Sequence, residues 1–182
     1  MRTYISTLAL SLLLLTRAAV AQTAPPQTIP VPPHSVTKPQ AQAQLKEFTS
    51  PDGHFSIMIP GTVTKDSSKN LFSTNFEDGN VAYMVEYDDF PPTVDKQSPV
   101  ELLQKSKTGS MGGAAGTTLL SERAIDLAGV PGLAYSFRTA SGAVADFRTY
   151  YTNRRLYQTL VITTGGYTAI FRDAFLDSFK IK

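Results

Sequence analysis

Few residues in this sequence have the types and spacing that catalysis requires. A serine hydrolase brings together a nucleophile, a histidine and an acid. The chain has two histidines, His34 in a proline-rich stretch and His54 in a predicted turn, and it lacks a Gly-x-Ser-x-Gly elbow. We therefore predict no catalytic residues and a non-enzymatic protein. A carboxylate pair of the kind that hydrolyses glycosides stays open as the alternative, because a sequence does not show the distance between two acids.

Two places in the sequence offer weak metal ligands: His54, which lies beside Asp52, and the acidic stretch at residues 86–89. Imidazole and carboxylate groups are common metal ligands, and carboxylate oxygens suit calcium. The candidates are Glu86, Asp88, Asp89 and His54. Because they lack the spacing of a calcium-binding loop, a solvated turn and an acidic sheet edge explain them as well. We predict no cofactor, since the glycines of residues 109–116 follow a helix and no phosphate-loop lysine follows them.

One predicted hairpin tip combines arginine with tyrosine. Arg154 and Arg155 follow Tyr151 and precede Tyr157. Arginine and tyrosine are enriched in binding hot spots, and hairpin tips are exposed. These four residues are our candidates for contact with a partner; the alternative is an ordinary turn whose tyrosines are half-buried in the sheet.

Three segments of different composition succeed one another along the chain. Residues 1–21 have an early Arg2, an apolar stretch and Ala-Val-Ala before Gln22, which is typical of a secretory signal peptide. Residues 22–45 contain six prolines and several glutamines, which predicts a disordered tether. Residues 46–182 have the length and apolar content of one globular domain.

Charge and cysteine content narrow the class of protein. Removing Arg2 and Arg17 with the signal peptide reduces the 17 basic residues to 15, which equals the 15 acidic ones. A nucleic-acid-binding protein has a basic excess, so we expect no such partner. The absence of cysteine excludes disulfides and a lipid-modified N-terminal cysteine. We expect a soluble protein in the periplasm or the medium, with no transmembrane segment after cleavage.

The domain alternates between strand and helix patterns. Phe55, Ile57 and Ile59 share one face of a predicted strand, which pairs through a Pro-Asp-Gly turn with the strand at Phe48. Further strands are predicted over residues 70–76, 81–87, 119–127, 133–138, 145–152 and 156–164. Ser98, Pro99 and Glu101 predict a capped helix start, followed by an apolar stripe that includes Val100 and Leu103. A second helical stripe covers residues 170–175. Consecutive hairpins predict a mainly antiparallel sheet, hence an α+β fold.

The order of these elements resembles a known family. The stretches FTSPDGHFSIMIPG, YMVEYDDFPP, LAGVPGLAYSF, RRLYQTLVI and FLDSFK are similar to those of secreted bacterial members of the PsbP-like family. The resemblance covers nearly all of residues 47–180. It implies a PsbP/Mog-type α/β/α sandwich, with an antiparallel sheet of about six strands flanked by two or more helices. It implies no catalytic residues, because its motifs are structural.

Together these observations predict a secreted or periplasmic binding or accessory module. Its partner would be an envelope protein or a small ligand, with the proline-rich segment extending its reach. The alternative is a small secreted hydrolase or carbohydrate-active enzyme that uses an unrecognised carboxylate pair. The sequence leaves the oligomeric state and the identity of the partner open.

Overall fold

The computed structural model describes residues 43–114 and 116–182. The predicted signal peptide, His34 and nearly all of the predicted tether therefore lie outside the described residues. Within the described ranges, no helix is both long enough and apolar enough to cross a membrane.

Two antiparallel sheets and two helices make up most of the described chain. The larger sheet has seven strands in the order β3-β4-β5-β9-β8-β7-β6, and the smaller has the order β1-β2-β10. The strands are β1 Leu45–Ser50, β2 Phe55–Pro60, β3 Thr64–Asp66, β4 Leu71–Phe76, β5 Val81–Asp89, β6 Thr118–Leu127, β7 Val130–Arg138, β8 Val144–Thr152, β9 Arg155–Thr163 and β10 Lys180–Ile181. The helices are α1 Pro99–Gly112 and α2 Arg172–Asp177, with short 3-10 segments at Glu77–Gly79 and Pro92–Lys96.

The larger sheet lies between two layers. Helix α1 packs on one face, over β7 and β8, and the smaller sheet with α2 covers part of the other face. The predicted antiparallel architecture is confirmed, but the protein is predominantly β, with a second sheet where the prediction has a helical layer. Strands β3 and β10 have only three and two residues, too few to show a burial period, and local alternation does not say which sheet a hairpin joins.

The first hairpin forms as its sequence predicts. Phe55, Ile57 and Ile59 are at most 1% exposed and pack between the two sheets. The turn between β1 and β2 is fastened by Ser50, whose Oγ accepts a hydrogen bond from the Gly53 amide at 3.0 Å. Side chains from both sheets thus form one apolar core, which fixes the smaller sheet against β4, β5 and β9.

Helix α1 begins at the predicted cap. The Ser98 amide donates to the Glu101 carboxylate at 2.8 Å, and the Glu101 amide donates to the Ser98 hydroxyl at 3.3 Å. The predicted stripe is wrong at Val100, which is 63% exposed. The residues that face the sheet are Leu102, Leu103, Ser106 and Ser110. Val100 lies outside this face because the helix packs mainly over β7 and β8 and reaches β6 through polar side chains.

The second helix begins two residues later than its predicted apolar stripe. It spans Arg172–Asp177, with Phe175 and Leu176 buried. Ile170, which the stripe places in the core, is 56% exposed. The amide of Phe171 donates to the Tyr83 hydroxyl at 3.1 Å, so a side chain of the larger sheet bonds the backbone at the start of α2.

Candidate partner-binding edge

The four hairpin residues do not form one exposed surface. Tyr151 and Tyr157 are buried in the cores on opposite faces of the larger sheet, and Arg155 is half-buried. Arg154 is exposed at the tip, in a two-residue turn where its φ is 60° and that of Asn153 is 49°. Tyr151 lies in β8 and Tyr157 in β9, and both are buried because these central strands have neighbours on both sides. Partner contact at this tip stays a prediction for Arg154.

Arg155 connects β9 to β5 and to the turn of the first hairpin. Its guanidinium donates to both carboxylate oxygens of Asp89, at 2.6 and 2.7 Å, and to the backbone carbonyl of Asp52 at 2.9 Å. It also lies 4.5 Å from the centre of the Tyr87 ring. The hydrogen bonds from Arg155 hold the pKa of Asp89 below its usual value. This geometry joins β5, β9 and the first hairpin, which indicates a structural role.

The four metal candidates are divided by the sheet. Glu86 and Asp88 point to the face that carries α1, whereas Asp89 is engaged by Arg155 at the strand end. His54 lies in the β1–β2 turn with a φ of 53°. Among the described residues, no three histidine or carboxylate side chains come together as a metal-binding group.

Glu86 sits beneath α1 in a polar layer. It is paired across the sheet with Gln158, whose amide donates to Ser106 of the helix at 2.7 Å. The Tyr135 hydroxyl donates to Ser110 one turn further on, at 3.2 Å. Burial, followed by the charge of Asp88, raises the pKa of Glu86 to about 7. The Glu86 carboxyl is therefore protonated in a large fraction of molecules at neutral pH.

The most exposed element is β6, the last strand of the larger sheet. Eight of its ten residues are exposed, including Leu119 and Leu120. A register shift between Leu119 and Ser121 makes a bulge, so regular pairing with β7 covers Ser121–Leu127. Bulges hinder the pairing of a further strand. The regular part of β6 therefore forms the open edge, by which we mean residues 121–127.

The direction of the backbone groups along the open edge follows from its hairpin. Ala128 and Gly129 both have positive φ, which defines a two-residue type I′ turn closed by the pair Leu127 and Val130. Hydrogen-bonded and non-hydrogen-bonded pairs alternate from that closing pair. The amides and carbonyls of Glu122, Ala124 and Asp126 consequently point away from β7. An added strand would bond to these three residues.

Each face of the sheet has a cleft beside the open edge. The cleft on the α1 face is about 490 Å³ and is lined by Val100, Leu103, Ala124 and Leu133. The cleft on the α2 face is about 350 Å³ and contains Arg123, Arg148 and Arg172 with Asp146 and Asp173. A mainly apolar surface, which also includes Gln104 and Glu122, thus lies on one side of the edge and a charged surface on the other.

Most charges beside the open edge are paired. Glu122 accepts from Lys107 at 2.6 Å and from Gln104 at 2.7 Å. In the charged cleft, Arg148 pairs with Asp177, and Arg172 pairs with Asp173 at 2.9 Å. Arg123 is exposed and has no carboxylate within 4.0 Å among the described residues. A charge with no ion-pair partner therefore stands on the open edge itself.

The β6 strand was predicted from the sequence, but its exposure was not. Its sequence, TLLSERAIDL, has three charged residues and no regular alternation of apolar and polar positions. That irregularity was the available signal, because a half-buried strand alternates with period two.

The fold has known counterparts among solved structures. The chain superimposes on the cyanobacterial PsbP protein CyanoP from Synechocystis sp. PCC 6803 with a TM-score of 0.53 and 12% identity, covering 76% of this chain and 92% of that one. A protein from Bacteroides thetaiotaomicron VPI-5482 gives a TM-score of 0.51 and 12% identity; the match covers 76% of this chain and about half, 49%, of that protein. No family model and no curated protein sequence matches this chain. The fold is PsbP-like.

Proposed function

We propose that this protein is a non-enzymatic, extracytoplasmic accessory module that binds a protein partner along the open edge of its larger sheet. The signal-like N-terminal sequence supports the location, and the proline-rich segment supports a tethered role. The observation that carries the proposal is β6, a long edge strand exposed on both faces and flanked by two clefts. An extended peptide can add to such an edge by backbone hydrogen bonds.

A photo-crosslinking experiment tests this proposal. A photoreactive amino acid replaces Leu120, beside the open edge, or Lys65, in β3 at the opposite edge, and the protein is irradiated in the producing cells. We expect a discrete adduct from position 120 and none from position 65. Ala124→Pro removes an outward amide without breaking the ladder to β7, so the adduct should disappear in that background.

The matched control for Ala124→Pro is Ile125→Pro, and thermal unfolding compares the two variants. Ile125 pairs with Gly132 through hydrogen bonds on the β7 side, so Ile125→Pro should destabilise the fold by about 3 kcal/mol or more. Ala124→Pro should cost under about 1 kcal/mol. Equal adducts from both probe positions, or an adduct that persists in folded Ala124→Pro protein, would refute binding at the open edge.

The hairpin tip gives a second, independent variant. Arg154→Ala removes the exposed side chain of the tip and leaves the buried Tyr157 in place. If Arg154→Ala abolishes the adduct and Ala124→Pro does not, the partner binds at the hairpin tip instead.

One observation favours the hydrolase alternative. The charged cleft contains two carboxyl groups whose pKa values move apart: burial raises the pKa of Asp146, and the hydrogen bond from Arg172 lowers the pKa of Asp173. Such a pair can supply a general acid and a base. Hydrolysis of chromogenic glycosides or esters that disappears in both Asp146→Asn and Asp173→Asn would establish an enzyme; we expect no turnover above buffer.

A further inference from the structure

We propose that the open edge takes an extended peptide in which an acidic residue lies next to an apolar one. This inference rests on the proposed function and specifies its partner. Alternate side chains of an added strand point to opposite faces of the sheet. The two clefts beside residues 121–127 differ in chemistry, so each imposes its own requirement on every second residue of the peptide.

The acidic position is set by Arg123. Because Glu122 and Ala124 direct their backbone groups outward, the peptide residue opposite Arg123 belongs to a non-hydrogen-bonded pair. Side chains come closest in such pairs, with Cα atoms about 4.5 Å apart. Arg123 is exposed and has no ion pair among the described residues. A carboxylate opposite Arg123 therefore gains a partner without breaking an existing ion pair.

The apolar position is set by the cleft on the α1 face. Both neighbours of the acid point to that face, one opposite Glu122, which is bonded to Lys107 and Gln104, and the other opposite Ala124. Beside Ala124, whose side chain is a single methyl group, the cleft is lined by Val100, Leu103 and Leu133. Val100 is 63% exposed, so apolar surface remains to be covered. A branched or aromatic residue opposite Ala124 would bury it.

The chain itself supplies no such segment at its N-terminus. Residues 1–42 contain no aspartate or glutamate, and residues 22–42 contain six prolines, which lack the amide that an added strand needs. The segment that precedes the described domain therefore fits neither the charge nor the backbone of the open edge.

Symmetric pairing with the β6 strand of a second copy would not place an acidic residue opposite Arg123. In a two-fold antiparallel pair, facing residues lie on the same face of the sheet, so their numbers differ by an even count. The open-edge residues that share the face of Arg123 are Ser121, Ile125 and Leu127, and none is acidic. Glu122 and Asp126 lie on the opposite face. A second β6 thus leaves Arg123 without a carboxylate.

A displayed library of random twelve-residue peptides tests the inference. Selection on the full chain should enrich peptides with one aspartate or glutamate next to a β-branched or aromatic residue. A selected peptide should lose at least about fivefold in affinity when its acid becomes lysine, as expected for a cross-strand charge pair. Against Arg123→Glu protein the order should reverse, with the lysine peptide binding more tightly.

Four variants separate the outcomes. Ala124→Pro should abolish binding of every selected peptide, and Ala124→Phe, which fills the apolar cleft, should weaken the peptides with the largest flanking residues most. Peptides that are sensitive to Ala124→Pro but keep the same charge preference with Arg123→Glu or Arg123→Gln overturn the inference and leave the proposed function standing. If no selected peptide is sensitive to Ala124→Pro, both fail. Circular dichroism of each variant verifies folding.

Discussion

The two ends of the seven-stranded sheet differ in how their strands are covered. Strands β4, β5 and β9 have one face against the smaller sheet, and this end finishes in β3, a strand of three residues. At the other end β6 has ten residues, of which eight are exposed. Stability should therefore come mainly from the covered end, whereas the uncovered end is free to bind. The difference is measurable by paired substitutions.

The largest expected contrast is in apolar truncation. Phe55→Ala removes a fully buried ring that contacts the rings of Phe72 and Phe179, so it should lower the free energy of unfolding by about 3–5 kcal/mol. Leu120→Ala, at the uncovered end, should change it by less than about 0.5 kcal/mol. Urea unfolding at equilibrium measures both. Equal losses would contradict the division into a stabilising end and a free end.

Glu86 gives a contrast that depends on pH. Burial raises its pKa from 4.5 to about 7, so the folded state binds a proton more tightly than the unfolded state does. Its contribution is complete below about pH 4.5 and is lost as the pH rises through about 7. Because each unit of pKa shift corresponds to about 1.4 kcal/mol, Glu86→Gln should be more stable than the parent by up to about 3 kcal/mol at pH 8.

The same pair of proteins should have nearly equal stability at pH 4.5, since both side chains are then neutral. Urea unfolding of parent and variant across this pH range measures the difference. A variant that is less stable at pH 8 would show that the ionised carboxylate has a favourable partner.

One half-buried arginine, Arg155, and one exposed arginine, Arg123, extend the comparison between the two ends of the sheet. Arg155→Met removes two hydrogen bonds to Asp89, one to the Asp52 carbonyl and the contact with Tyr87, which should cost about 2 kcal/mol. Arg123→Met, on the open edge, should cost less than about 0.5 kcal/mol. Thermal unfolding of both variants tests this. A larger loss for Arg123 would assign it a structural role and weaken the peptide inference.

Local patterns in the sequence predicted much of the covered end. The burial of Phe55, Ile57 and Ile59, the cap at Ser98 and the antiparallel hairpins each depend on residues close together in the chain. The smaller sheet was not predicted, because joining β10 to β2 pairs residues more than 120 positions apart. The burial of Tyr151 in β8 and Tyr157 in β9 likewise depends on the central place of these strands in the sheet, which no local signal specifies.

The open edge was harder to predict than the core. Two of its properties, the outward direction of three backbone amides and the solitary Arg123, exist only once the register with β7 is fixed. The separation of the metal candidates also depends on strand pairing: Asp88 and Asp89 are adjacent in β5, but Arg155 of β9 engages only Asp89.

The smallest contrast concerns one hydroxyl group in the covered end. Thr74 of β4 is 3% exposed, and its Oγ1 has no hydrogen-bond partner among the described residues. Thr74→Val replaces that hydroxyl with a methyl group of similar size and should raise the free energy of unfolding by about 1 kcal/mol. Thr118→Val, at an exposed position of β6, should leave it unchanged. Denaturant unfolding measures both, and a destabilised Thr74→Val protein would mean that a buried water satisfies the hydroxyl and that the covered end is less dry than its apolar lining suggests.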